Sequence, residues 1–78
     1  MADVYYLSDW QLRVAINEIY ARHGRIFKDK ELQNYFNSLS WYVGIYEPAE
    51  FDKIQDSLLN ETEKKNLNTL ANERTSRQ

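Results

Sequence analysis

The chain has 78 residues and a formal charge of −2, with 10 Lys and Arg against 12 Asp and Glu and a pI near 5.3. This balance argues against nucleic acid as a partner, whose binding rests on clustered cations. At this length a single domain buries only about 60% of the surface its unfolded chain exposes. With no Cys and one His, neither disulfides nor a Cys/His metal centre reinforces the core, which must come from Leu, Ile, Val and the 2 Trp, 6 Tyr and 3 Phe.

Ser8 is followed three residues later by Gln11, the spacing of a capping box, while Leu7 and Leu12 occupy the N′ and N4 positions of a hydrophobic staple. A first helix therefore starts at Asp9. Its pattern holds to His23, and Gly24, which takes positive φ without steric cost, supplies the C′ residue. At about 100° per residue, Leu12, Ala15, Ile16, Ile19, Tyr20 and His23 share one arc. Gln11, Val14, Glu18, Ala21 and Arg22 fall largely opposite, with Arg13 and Asn17 at the margin beside Tyr20.

Asp29 is the best N-cap of a short second helix over 29–37, with Leu32, Tyr35, Phe36 and Leu39 at i, i+3, i+4 and i+7. Asn37, Ser38 and Ser40 then weaken the pattern. Trp41-Tyr42-Val43-Gly44-Ile45-Tyr46 has strand-like composition but no Asn-Gly turn and no long partner run. It reads as an extended, packed aromatic loop, to which Val4-Tyr5-Tyr6 adds at most a minor β ribbon. Pro48 opens a helical turn through Ile54, anchored by Phe51 and Ile54.

Asn60 and Glu63 form a second capping pair ahead of a helix over 60–73. Its apolar stripe is thin: Leu59, Leu67 and Leu70 share a face with Glu63 and Asn66, whose polar groups either pair against the first helix or stay wet at the core's rim. The reading is a compact all-α domain of three main helices over 4–74, with a polar tail at 75–78. No stretch approaches the roughly 20 apolar residues of a membrane span, and the N-terminus lacks the basic and apolar regions of a signal peptide. Direct membrane insertion is not expected.

Tyr20-Ala21-Arg22-His23-Gly24 is the string that names the bacterial YARHG domain. The chain resembles that family over about residues 7–74, through Leu12-Arg13, Asn17-Glu18-Ile19, Phe27, Leu32, Phe36, Trp41-Tyr42 and the stretch from Asn60 to Asn66. The resemblance implies a domain found mainly in bacteria, outside the membrane, often attached to longer membrane-anchored proteins, and hence an extracellular or cell-surface location. It implies no established activity. The residues Tyr20, Ala21, Arg22, His23 and Gly24 carry over only as family-defining positions.

His23 is the one imidazole in the chain, the side-chain type whose reference pKa lies nearest neutrality. Its place on the apolar arc at a helix end favours a packed ring bonded to a carbonyl or carboxylate over a reagent. Nucleophilic catalysis would also need a Ser, Thr or Cys held by that His, and no such motif is present. The acidic run of Glu47, Glu50, Asp52 and Asp56 lacks calcium-loop spacing. No catalytic residue, cofactor or metal site is expected.

Arg22 follows Glu18 by four residues, the favourable order for a helical ion pair, and its planar fork also suits a carboxylate or phosphate on a partner. Arg13 suits an internal polar network with Asn17, His23, Glu63 and Asn66. Trp41, Tyr42 and Tyr46 serve either core packing, the default in so small a chain, or a stacking face for a sugar or peptide. The expected function is a non-catalytic accessory module that recognises a cell-envelope or extracellular ligand through Arg22, Trp41, Tyr42 and Tyr46. The alternative is a structural spacer or protein-interaction domain that positions a neighbouring domain of a larger surface protein.

Overall fold

A computed structural model describes residues 6–77. Four helices follow in order: α1 (Asp9–Ala21), α2 (Lys30–Asn37), α3 (Pro48–Leu58) and α4 (Glu61–Ser76). Among the described residues the only β pairing is a single parallel bridge between Arg25 and Tyr46, so the domain is all-helical. The ribbon considered for Val4-Tyr5-Tyr6 involves residues 4 and 5, which lie outside the described residues.

The helix starts follow from capping. Ser8 Oγ accepts the Gln11 N–H while Gln11 Oε1 accepts the Ser8 N–H, and Asn60 and Glu63 repeat the exchange ahead of α4. Asp29 Oδ1 accepts from Glu31 and Leu32 and starts α2. Each cap satisfies N–H groups that have no partner inside the helix, an effect of about 1 kcal/mol.

The core has two centres, and α1 lies between them. Leu12 and Ile16 pack with Leu70 of α4, flanked by Leu7, Ala15, Ile19 and Leu67. On the other side, Ala21 joins Phe27, Leu32 and Phe36, flanked by Trp10, Val14 and Tyr35. Tyr20 touches both centres. The single apolar arc expected for α1 is thus only half of its buried surface. Val14 and Ala21, small residues on the opposite side, face α2 and leave Gln11, Glu18 and Arg22 as the outer strip.

Where a helical turn ending at Ile54 is expected, α3 runs to Leu58, making four helices among the described residues beside the three main ones expected. Phe51, Ile54 and Leu58 continue an i, i+3, i+7 face, and Phe51 is fully buried, edge-on to Tyr20 at 5.7 Å and tilted against Tyr46 at 6.2 Å. Tertiary docking of that one ring sustains a helix whose Asp and Ser content gives it little intrinsic preference. Helix α4 runs past Glu73 to Ser76, closed by Arg77, which bonds Glu73 on its own helix and reaches Asp9 of α1 at 3.0 Å.

Candidate functional site

The end of α1 organises the surface that carries the candidate residues. Gly24, at φ +90°, donates its N–H to the Ala21 carbonyl at 2.9 Å, and Arg25 donates to the Tyr20 carbonyl at 3.3 Å. These two bonds are the pair that defines a Schellman closure with Gly24 at C′. The Gly24 carbonyl then accepts from both Ile45 at 2.7 Å and Tyr46 at 2.9 Å, and Ile26 donates to the Tyr46 carbonyl at 2.9 Å. The aromatic loop is therefore tied by its backbone to the turn that ends α1.

His23 lies on the α4 side of this turn. Its Nε2 is 2.8 Å from Glu63 Oε2, with both side chains partly buried. The other oxygen, Oε1, accepts the Asn60 N–H of the α4 cap. Partial burial pushes the Glu63 carboxyl up, but the Asn60 N–H and the His23 ring outweigh it and hold the group below the usual carboxylate range. One carboxylate thus starts α4 and fastens it to the end of α1.

Arg13 belongs to a different cluster from the one expected. It binds the Asp29 carboxylate and approaches Glu31 at 3.6 Å, so it links α1 to the start of α2 rather than to Glu63 or Asn66. The Leu32 N–H and Arg13 together hold the Asp29 carboxyl below its ordinary value. Asn17 donates to the Arg13 carbonyl at 2.8 Å, a local α1 bond, and Asn66 is half-buried on α4. The expected network is two separate devices because Arg13 lies about 80° round α1 from His23, toward α2.

On the outer strip of α1, Arg22 pairs with Glu18 at 3.6 Å, and its guanidinium carbon lies 4.7 Å from the Trp41 ring centroid. Trp41 is 39% exposed and rests edge-on against Phe36 at 6.2 Å and Tyr42 at 6.3 Å. Val43 and Ile45 of the same loop are 65% and 63% exposed. Tyr42 and Tyr46 turn inward. The Tyr42 hydroxyl donates to the Arg25 carbonyl at 2.6 Å over a ring tilted on Phe36, and Tyr46 packs on Phe51. Of the four residues read as ligand-binding, Arg22 and Trp41 come together at the surface, while Tyr42 and Tyr46 hold the loop down from inside.

Arg25 was not visible to sequence reasoning. It lies over the rings of Tyr20, Phe27 and Phe51 and within 3.5 Å of Asp52. The available signal was its position directly after Gly24: the C″ residue of a Schellman closure characteristically contacts C3, here Tyr20.

These contacts link the motif to Trp41, Tyr46 and Glu63, all distant in sequence. Consistent with that spread, a profile of the YARHG domain matches residues 2–74. The chain belongs to the YARHG domain family. Comparison with curated proteins and with solved structures found no match. In this YARHG domain, no group of three or more His, Cys, Asp or Glu is placed to hold a metal ion among the described residues. No helix among them is long and apolar enough to cross a membrane.

Proposed function

We propose that this YARHG domain is a non-catalytic recognition module for a cell-envelope or extracellular ligand, read by Arg22 and Trp41. The observation that carries the reading is the exposed guanidinium lying 4.7 Å over an indole that is itself partly open to solvent. The indole face holds the guanidinium in place, and its Nη donors offer a charge-assisted bond to a carboxylate or phosphate. The open part of the indole adds apolar contact with a sugar or peptide body. His23 acts as a strut in this reading, since its Nε2 is engaged by Glu63.

The test is titration of the 78-residue chain with peptidoglycan fragments and wall polymers, following the Trp41 indole N–H and the Arg22 Nε–H by NMR. Saturable shifts at both groups are expected. Their absence across the panel overturns the reading. The exposed Val43 and Ile45 favour a second reading, a protein-interaction domain that positions a neighbour within a longer surface protein. In that case no wall fragment binds, and Val43→Ser with Ile45→Ser weakens association with the adjoining domain.

A further inference from the structure

Arg25 is a cation with strong apolar support and few acceptors. Its guanidinium carbon lies 5.4, 5.7 and 5.8 Å from the ring centroids of Tyr20, Phe27 and Phe51, its side chain is 22% exposed, and its Nε is buried without a hydrogen-bond partner. The carboxylate beside it, Asp52, is 61% exposed and stands 3.5 Å from Nη2, longer than a charge-assisted hydrogen bond. Aromatic faces attract the charge but offer no lone pairs in the guanidinium plane. The rings therefore hold the cation in place, its Nε has no acceptor, and its Nη groups have only the long contact to Asp52, a costly arrangement for a partly desolvated group.

Arg25 lines an open cleft of about 350 Å³ together with Phe27, Lys28, Pro48, Ala49 and Asp52. We propose that this cleft binds a carboxylate carried on a small, mainly apolar body, as at a peptide C-terminus. The planar fork of Arg25 matches a carboxylate, Lys28 supplies a second positive charge at the mouth, and Phe27, Pro48 and Ala49 provide apolar wall. Asp29 also borders the cleft, but its oxygens are engaged by Arg13 and by the Glu31 and Leu32 N–H groups. Two neighbouring acidic groups disfavour a dianionic phosphate more than a monoanionic carboxylate. Asp52 is then an internal competitor, holding the guanidinium loosely until a ligand carboxylate replaces it. The site is separate from the Arg22 and Trp41 surface, as neither residue lines the cleft.

The test is NMR titration of the 78-residue chain with N-acetylalanine, acetate and inorganic phosphate at constant ionic strength, reading the Arg25 Nε–H and the Ala49 amide. Saturable shifts with N-acetylalanine are expected, with tighter binding than acetate or phosphate. Asp52→Asn should tighten N-acetylalanine binding by about two- to fivefold, and Lys28→Ala should weaken it by a similar factor. Both positions are exposed, so neither change threatens the fold, and a purely structural Arg25 gives no gain in affinity with Asp52→Asn. No saturable shift in either the wild type or Asp52→Asn, tighter binding of phosphate than of N-acetylalanine, or an Asp52→Asn affinity equal to wild type overturns the proposal.

Discussion

His23 Nε2 lies 2.8 Å from Glu63 Oε2, joining the residue before the helix-ending glycine of α1 to the N3 position of α4. Removing either partner leaves the other partly buried without its bond, so His23→Ala and Glu63→Ala should each destabilise the domain by about 1–3 kcal/mol. Because they share one interaction, the double variant should lose less than the sum of the two. Urea unfolding of the four proteins checks this, and strict additivity would show that the two side chains act independently.

Acid should weaken the same joint. The folded-state pKa of Glu63 lies below its ordinary value of 4.5, so the ionised carboxylate contributes stability that is fully present above that value. The contribution is lost as pH falls through the depressed folded value. Asp29, held below its ordinary 3.8, acts with the same sign at still lower pH. Thermal unfolding between pH 7 and pH 2.5 should show a falling midpoint below about pH 4.5, and Glu63→Gln should flatten the upper part of that fall.

Gly24→Ala places a side chain in a backbone conformation at φ +90°, and its Cβ would meet Ile45 Cδ1 at 3.0 Å and Ile45 Cβ at 3.1 Å. The positive φ alone costs about 1–2 kcal/mol. In a domain of this size that lowers the unfolding midpoint by roughly 4–16 °C. A calorimetric scan measures it. The Schellman closure and the loop tether share this residue, so the variant should also perturb the amides of Ile45 and Tyr46.

Phe51 is the anchor of α3, buried between Tyr20 and Tyr46. Truncation to Ala should cost about 3–5 kcal/mol. A small domain's core rarely supplies more than about that much, so the variant should be largely unfolded at 37 °C by circular dichroism. Ile54→Ala, at a half-buried position of the same helix, should remain folded.

The features written in local chemistry were legible in the sequence. Ser8 with Gln11, Asn60 with Glu63 and Asp29 each announced a helix start, and Gly24 announced the end of α1, because caps depend on residues within one turn. The family resemblance was legible too, but through Tyr20 to Gly24 together with aromatic and capping positions spread along the chain. What escaped depends on long-range packing. Ala21 is buried and Val14 packs beside it only because α2 folds back over the second face of α1, and α3 outgrew its weak propensity because Phe51 found a socket. Arg13 and Arg25 differ in role through partners that no spacing rule connects, Asp29 in one case and three aromatic rings in the other. Within the aromatic loop, composition alone could not separate the open Trp41 from the inward Tyr42 and Tyr46.

That separation gives the sharpest test of the proposed recognition surface. Trp41 makes edge contacts with Phe36 and Tyr42 but stays partly exposed, so Trp41→Ala should cost only about 1–2 kcal/mol and leave a folded domain. Arg22 is exposed and its ion pair with Glu18 is loose, so Arg22→Lys should change stability by about 0.5 kcal/mol or less. Ligand binding should respond quite differently. A lysine keeps the charge but loses the planar fork that stacks on the indole and meets an oxyanion in two places. Arg22→Lys should therefore weaken binding of the wall fragment that shifts the Trp41 indole by about tenfold, and Trp41→Ala by at least as much. Isothermal titration on folded variants reads both. If affinity is retained in the two variants together, the ligand is held elsewhere, and the Arg22 and Trp41 stack serves only to pin the loop against α1.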